Sequence, residues 1–510
     1  MIANQRHIGR ELGVVDIGSN SVRLVIYEIF GAHFTPIYNE KILAGLGRDL
    51  KTTGCLSSDG KILTLQALKR FSRIAKARGL PPLVFGATAA LRVAEDAAQF
   101  IEQVFIETGL NISPISGDEE ARLTALGLVS THPRASGLAA DLGGASLELI
   151  EINQDDVGAV VGERVSLPLG PFDLIGHDLT DLSDTQISKA RKDIKKHLMA
   201  NLALLERGQG DSLYLIGGAW RNLALLHQVY CEYPLRTLQS YTMAPEAASI
   251  HAKWAYGEGK DTILTWPGMR QRRAETLPYS GLLLDILLDV VKPKDVIISR
   301  SGLREGLVHD AIPEAQRQRD PLFDGCRAFA KGSLQTENFG GPLFRFVETI
   351  QDIIPEIFNS LDDARLLRAA CLMAGVGKDL HPDYRAEAIF AAVLYAPVAG
   401  LRHHERVFLA LCLYRSFTTS KRLPSSDVIK ELLSSEQEKA AGIIGATIRL
   451  AFVASGQSSE LLDAFSLSSD DEYLILSALP THKDLVTDQV GFRLSKLANK
   501  VNREAKVIAC

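Results

Sequence analysis

Two stretches of the chain carry the same acid–glycine–serine turn. Asp16–Leu24 reads DIGSNSVRL and Asp141–Leu149 reads DLGGASLEL. Laid over each other they match at Asp16/Asp141, Gly18/Gly143, Ser21/Ser146 and Leu24/Leu149. They differ in sign at one place, where Arg23 falls on Glu148. An acid at a strand end followed by glycines lets backbone N–H groups come close to an anion, and serine adds a hydroxyl donor. Gly18, Ser19, Asn20 and Ser21 in the first turn and Gly143, Gly144, Ala145 and Ser146 in the second are therefore candidate phosphate binders. Gly217 and Gly218, in LYLIGGAWRNLA, stand at the head of an expected helix, and a helix N-terminus is a further anion position. Either turn alone reads as an ordinary hairpin. Repetition in register argues for two half-sites gripping neighbouring phosphates of a polyanion from both sides.

The charges beside the turns divide by sign. Asp141 and Glu148 stand seven residues apart across a hairpin, which puts both carboxylates over one mouth, where they would hold Mg²⁺, a hard ion that prefers oxygen ligands. Arg23 in the first hairpin and Arg92 in AALRVAED supply guanidinium groups, which bind phosphate oxygens bidentately. In a duplicated site one half then offers an arginine to phosphate and the other a carboxylate to metal or water.

The elements that must position these groups follow from pattern. GVVDIGSNSVRLVIYEIF and GLAADLGGASLELIEIN each read as strand, turn, strand. LQALKRFSRIAKARG has helical spacing and stops at Gly79. PPLVFGATAALRVAEDAAQFIEQVFIETG reads strand, turn, helix; ISPISGDEEARLTALGLVSTH is a short strand and a helix from near Asp118. DSLYLIGGAWRNLALLHQVY and DVIISRSGLREGLVHDAI repeat strand, turn, helix. Alternation of this kind predicts an α/β architecture. After about Ile312 the text turns rich in Ala, Leu, Arg and Glu at helical period, as in DDARLLRAACLMAGVG and ERVFLALCLYRSF, which predicts a mostly helical C-terminal domain, all-α in class. The expected division is 1–130 and 131–310 for two α/β domains and 311–510 for the helical one.

Composition bounds the function classes. At 510 residues, two to four domains are expected. A hydrophobic fraction of 46% with 23% charged residues is that of a soluble globular protein, and a net charge of −5 argues against nonspecific nucleic-acid binding. No apolar run is long enough to span a bilayer, and the N-terminal MIANQRHIGRELG lacks a signal-peptide core. The six cysteines form no CxxC pair, so neither a zinc ribbon nor a disulfide framework is expected and a reducing, cytoplasmic setting fits. Cys510 reads as an exposed thiol.

The two turns and the later Gly217-Gly218 segment resemble the actin, sugar-kinase and heat-shock ATPase superfamily, which implies duplicated actin-like, ribonuclease H-like halves. Five ordered segments narrow this. DIGSNSVRLVIYE, GATAALRVAED, SGDEEARLTALG, DLGGASLELI and ISRSGLREGL resemble the signatures of the exopolyphosphatase / guanosine pentaphosphate phosphohydrolase (Ppx/GppA) family over roughly the first 310 residues. The length is similar to that of long members, whose helical C-terminal region is related to HD phosphohydrolases. The resemblance implies a Mg²⁺-dependent hydrolase releasing orthophosphate from polyphosphate. It also implies that Glu120 orients or deprotonates the attacking water, that Glu120, Asp141, Glu148 and Arg92 form the catalytic set, and that the chain dimerises. Glu119 is expected to be an ordinary helix-start acid. Arg273 and Arg304 fall on family-like positions, with structural ion pairs expected of both.

The chain departs from the family where GGGSTE becomes Gly143-Gly144-Ala145-Ser146-Leu147-Glu148; backbone donors survive, so tuned affinity is expected. Ala374-Gly375 stands where an HD protein places its His-Asp metal pair, so the helical domain is expected to be non-catalytic. It would lengthen a polyanion channel, with Arg402, His403, His404 and Arg406 as candidate lining, or support dimerisation. Three further functions compete: hydrolysis of pppGpp at the same site, an ATP-dependent kinase whose adenosine pocket beside Gly217 Trp220 would crowd, and a phosphate-binding regulator without turnover.

Overall fold

The computed structural model describes residues 9–156, 158–171, 183–257, 260–266, 275–330, 334–420 and 422–509. Its contacts divide the chain into two compact units, Met1–Pro321 and Leu322–Cys510.

The first unit contains two sheets built to one plan. β1 (Arg10–Ile17), β2 (Val22–Phe30), β3 (His33–Ile42) and β4 (Val84–Ala87) lie in the order β3-β2-β1-β4. β1 pairs antiparallel with β2 and parallel with β4. The second sheet repeats this with β5 (Gly137–Leu142), β6 (Leu147–Gln154), β7 (Ala159–Leu167), β8 (Ser212–Ile216), β9 (Tyr241–Met243) and β10 (Asp295–Ser299), ordered β7-β6-β5-β8-β10-β9. Here β5 is antiparallel to β6 and parallel to β8. Both hairpins expected from sequence are therefore present, and each first strand carries its acid, Asp16 or Asp141, as its penultimate residue. The apolar runs VVDI and LAADL explain the strands: alternate residues pack into different core clusters, Val15 and Ile17 apart from Leu12 and Val14, and Leu138 and Ala140 apart from Ala139, so both faces are buried.

Helix Ser58–Arg78 stops where Gly79 takes a left-handed φ of 65°, as its glycine predicts. Helix Gly117–Thr131 begins at Ser116, whose hydroxyl accepts from the Glu119 N–H, and carries Asp118, Glu119 and Glu120 in its first turn, where the helix dipole favours acids.

Two helices lock the sheets together. Gly117–Thr131 follows the first sheet in sequence, yet Ala121, Ala125 and Leu128 pack with β5, β6 and β8 residues of the second. Leu303–Asp310 follows β10 of the second sheet, yet Leu307 and Val308 pack with Leu12, Val14 and Val25 of the first. The helices cross through glycine. A methyl at Gly306 would overlap the Leu123 carbonyl, and one at Gly127 would overlap the Gly302 carbonyl.

The second unit corrects the expectation of an all-α domain. Its main helices are Leu334–Glu348, Ser360–Met373, Arg385–Leu394, His403–Phe417, Ser435–Ser455 and Asp488–Lys500. A three-stranded sheet accompanies them: β11 (Phe465–Ser469), β12 (Tyr473–Ala478) and β13 (Glu504–Ala509), ordered β11-β12-β13. These strands are five or six residues long. Their period-2 alternation is short enough to be lost beside the long helical patterns. Nor do Arg402–Arg406 form a basic path. Arg406 is buried and donates to the carbonyls of Ala396 at 2.5 Å and Val398 at 2.9 Å, and His403 and Glu405 are buried with it.

Cys55, Cys231, Cys326, Cys371 and Cys412 are not in disulfides; Cys510 lies outside the described residues. Among those residues no helix is long and apolar enough to cross a membrane.

Gly306→Ala must push the crossing apart, and overpacking of this kind costs about 1–3 kcal/mol or more. The variant is expected to lower the thermal midpoint of the first unit by several degrees in a calorimetric scan; an unchanged midpoint would mean that the crossing has slack. His309, on the same helix, has a buried Nδ1 without a hydrogen-bond partner among the described residues. Burial, reinforced by the Arg317 charge, pushes its pKa from 6.5 down to about 4. The unfolded chain then binds the extra proton first, so stability is lost as pH falls from 6.5 towards 4. His309→Gln is expected to flatten that part of the stability–pH curve in equilibrium unfolding.

Candidate active site

The two turns close identically. The Gly18 N–H donates to the Ser21 carbonyl at 3.0 Å, and the Gly143 N–H to the Ser146 carbonyl at 3.0 Å. Register carries the match onward: Asp16 stands opposite Arg23, and Asp141 opposite Glu148. The turns then meet. Ser19 and Asn20 of the first and Gly144, Ala145 and Ser146 of the second line one cleft of ≈ 1510 Å³, together with Lys41, Arg48, Lys51, Arg92 and Ser166. Gly18, Ser21 and Gly143 shape the turns through the closing bonds. Gly217 sits behind the second turn at φ 115°, where a Cβ would come within 2.7 Å of the Leu142 carbonyl, and Gly218 opens the following helix. The methyl of Ala145 is accommodated: Gly170 packs on its backbone and donates to its carbonyl at 3.1 Å.

One side of the site is acidic. Glu148 is 2% exposed and accepts from Ser166 Oγ at 2.9 Å. Asp141 accepts from Thr124 Oγ1 at 3.4 Å. Glu120 accepts from Arg92 Nη1 at 3.1 Å, and the same nitrogen donates to the Ile115 carbonyl at 2.9 Å. Burial, then the charge of Glu120, pushes Asp141 up to about 7. Burial, then Glu120 and Asp141, pushes Glu148 up to about 8. Glu120 and Asp16 are also raised, first by burial, against the opposing pull of Arg92 and of Arg304 respectively. Glu119 is not part of this group; it pairs with Arg122 at 2.8 Å.

The other side is cationic. Arg304 Nε lies 3.7 Å from Asp16 Oδ2, so the expected ion pair exists and stands at the site. Arg23 Nε donates to Asn39 Oδ1 at 2.7 Å, with Lys41 opposite it across the strands. Arg221 Nε donates to the Gly217 carbonyl at 2.9 Å. Burial, followed by the repulsion of Arg304, lowers the pKa of both Arg23 and Arg221. Arg273 lies outside the described residues.

Sequence reasoning passed over Asp16, Lys41, Thr124, Ser166 and Arg221 as site residues. Arg221 had a signal. Arg92 lies four residues after the N-cap Thr88 of the helix that follows β4, and Arg221 four after the N-cap Gly217 of the helix that follows β8. β4 and β8 are the equivalent parallel neighbours of β1 and β5, so these arginines are another matched pair. Ser166 had none, because only the β6–β7 register places it opposite Glu148. Trp220 does not crowd the turn: it is fully buried in the core and donates to the Ser280 carbonyl at 3.1 Å.

The chain matches two family models: the Ppx/GppA phosphatase family over residues 25–315, and the C-terminal domain of exopolyphosphatase over residues 353–508. Among its relatives is Exopolyphosphatase 1 of Mycobacterium tuberculosis, 30% identical over 337 residues, which cover 64% of this chain and 93% of that one. Another is Retrograde regulation protein 2 of Saccharomyces cerevisiae, 26% identical over 428 residues, 79% of this chain and 71% of that one. In fold it is similar to an exopolyphosphatase from Cytophaga hutchinsonii, with a TM-score of 0.54 at 22% identity over 59% of this chain and 98% of that one. It is also similar to a Ppx/GppA member from Aquifex aeolicus, with a TM-score of 0.52 at 24% identity over 59% and 96%. With duplicated turns on one cleft, and a model match spanning more than half its length, the chain belongs to the Ppx/GppA phosphatase family.

Proposed function

We propose that this protein is an exopolyphosphatase, which hydrolyses the terminal phosphoanhydride bond of inorganic polyphosphate and releases orthophosphate. The observation that carries the reading is that two phosphate-type turns line one cleft together with Arg92, which holds Glu120, while the charge of Glu120 reaches Asp141 and Glu148 of the second hairpin. Cleaving a phosphoanhydride requires the phosphates to be held in line and their charge offset, with a water oriented for attack. Ser19, Asn20, Gly144, Ala145 and Ser146 offer donors to successive phosphates. Glu120, held by Arg92, takes the proton from water as its oxygen bonds to the terminal phosphorus, and the bridging oxygen leaves on the shortened chain. Burial raises the Glu120 pKa above the usual carboxylate value, which makes it a stronger base.

Asp141 and Glu148 would hold Mg²⁺, which would offset charge on the bound phosphates. The fit rests on the acid crowding: two buried carboxylates raised this far call for a cation, and a phosphate arriving alone would raise them further. Among the described residues no three acids, histidines or cysteines converge as a metal cage; one or two carboxylates plus substrate phosphates is the set that Mg²⁺ favours. Arg221, matched to Arg92, is assigned to phosphate as well.

The duplicated sheet plan supports actin-like halves, with domains at 1–130 and 131–310 and an HD-related, non-catalytic domain at 311–510. A homodimer in the cytoplasm, without nucleic-acid or membrane partners, completes the proposal.

Glu120→Gln is expected to cut Mg²⁺-dependent phosphate release from long-chain polyphosphate by about 10²-fold or more, with polyphosphate binding retained. Running pppGpp in parallel tests the alternative substrate. Release without an acceptor rules out a kinase, and no release from either substrate with binding intact would leave a regulator. Arg221→Gln is expected to lower kcat/KM about 10- to 100-fold, the loss of one charge-assisted hydrogen bond to phosphate. An unchanged kcat/KM would return Arg221 to a structural role.

A further inference from the structure

The repeat that makes the two turns reaches beyond them. Gly45 stands 29 residues after Asp16, and Gly170 stands 29 after Asp141. Gly45 follows β3 of the first sheet, and Gly170 follows β7 of the second. Both make the same bond. The Gly45 N–H donates to the Asn20 carbonyl at 3.1 Å, and the Gly170 N–H to the Ala145 carbonyl at 3.1 Å. Asn20 and Ala145 are equivalent residues of the two turns, each four after its acid. The strands between keep step: Lys41 opposite Arg23 is the counterpart of Ser166 opposite Glu148. In each half the chain thus leaves its third strand and runs back against the turn as a strap.

Each strap is itself anchored. Ala44 and Leu169, which precede the two glycines, are buried. In the first half the Ser57 N–H donates to the Leu46 carbonyl at 3.0 Å, and Gly60 presses on Leu46, where a Cβ would come within 2.8 Å of its Cα. In the second half the buried Tyr279 hydroxyl donates to the Leu169 carbonyl at 2.8 Å. The two glycines are required for different reasons. Gly45 has a left-handed φ of 62°. Gly170 lies so close to the turn that a Cβ would stand 2.2 Å from the Ala145 carbonyl carbon. The first strap holds one carbonyl more, since the Gly47 N–H donates to that of Ser19 at 2.8 Å.

Holding a carbonyl fixes a peptide plane. In a trans peptide the next N–H points the opposite way. The bond to Asn20 therefore turns the Ser21 N–H away from its strap, and the bond to Ala145 does the same for Ser146. Among the described residues no backbone carbonyl takes either N–H. Oriented amides of this kind suit phosphate oxygens. We propose that Gly45 and Gly170 are matched positioning residues, which clamp the two turns and aim the Ser21 and Ser146 amides at the bound phosphates. The ligand rests on the polyphosphate reading above; the clamping does not.

The test is residue-resolved amide hydrogen exchange on the full chain, with and without tripolyphosphate and without divalent cation. In the wild type tripolyphosphate is expected to slow exchange at both Ser21 and Ser146, by about tenfold or more. Gly170→Ala is expected to lose the slowing at Ser146 and keep it at Ser21, and Gly45→Ala the reverse. A fold merely loosened by substitution would lose both together, so the crossed pattern separates clamping from stability. Gly45→Asn, since asparagine tolerates a left-handed φ, is expected to retain the slowing at Ser21. Tyr279→Phe deletes only the hydroxyl that anchors the second strap. It is expected to weaken the slowing at Ser146 alone, and it keeps the test alive if Gly170→Ala misfolds. For Mg²⁺-dependent phosphate release, kcat/KM is expected to fall about tenfold in both alanine variants. Slowing that survives at the altered turn, or that is lost at both turns in each variant, overturns the proposal. So does a wild type in which neither amide is slowed. If no phosphate is released from any substrate while the crossed pattern remains, the clamps stand and the hydrolase reading falls.

Discussion

A helix crossing that tolerates no side chain is the constraint on which the first unit depends. Helix Gly117–Thr131 and helix Leu303–Asp310 each leave the sheet they follow and pack on the other. At their crossing Gly127 and Gly306 press against opposing carbonyls. The exchange delivers Glu120, at the start of one helix, beside the hairpin acids of the second sheet. It delivers Arg304, at the start of the other, beside Asp16 of the first. Neither sheet could place these groups by itself, because the helices that carry them start at the ends of strands in the opposite half.

What the crossing assembles is electrostatically expensive. Glu148, nearly fully buried, is displaced from 4.5 to about 8, which corresponds to roughly 5 kcal/mol against its ionised form. Arg23, Arg221 and Lys41 are pushed the other way by burial, and then by neighbouring cations: Arg304 for Arg23 and Arg221, Arg23 for Lys41. A fold selected for stability alone would interleave these charges as ion pairs. Among the described residues of the site, Arg92 pairs with Glu120 and Arg304 with Asp16, and Asp141, Glu148, Arg23 and Arg221 form no ion pair. Packing is tight where the helices cross, and the unpaired charge is gathered in and behind the two turns, as expected of a functional site.

The α/β alternation, both hairpins, the Ser116 helix start and the Gly79 helix stop were legible in sequence because each has a local physical signature. The register repeat named Asp141, Glu148, Arg23 and both turns for the same reason. Ser166 and Lys41 were not legible: their roles come from strand pairing opposite Glu148 and Arg23, and nothing in the residues around them says which strand will be their neighbour. Trp220 illustrates the reverse failure. Its proximity to Gly217 in sequence suggested the cleft, but helical geometry turns it into the core. In the C-terminal unit the same limit hid the sheet and misdirected attention to Arg406. A basic residue inside a helix start looks solvated until the carbonyls of Ala396 and Val398 are seen to receive it.

Duplication explains the site's shape, and its one broken position explains its polarity. The turns are equivalent down to the length of the closing bond, and Arg92 with Arg221 extends the equivalence to the helices behind them. Two identical halves would present the same groups from both sides. The exchange of Arg23 for Glu148 at matched register breaks that symmetry: Asp16 faces a guanidinium in the first hairpin, and Asp141 faces a second carboxylate in the other. A single change of sign thus gives a repeated frame one cationic and one acidic side.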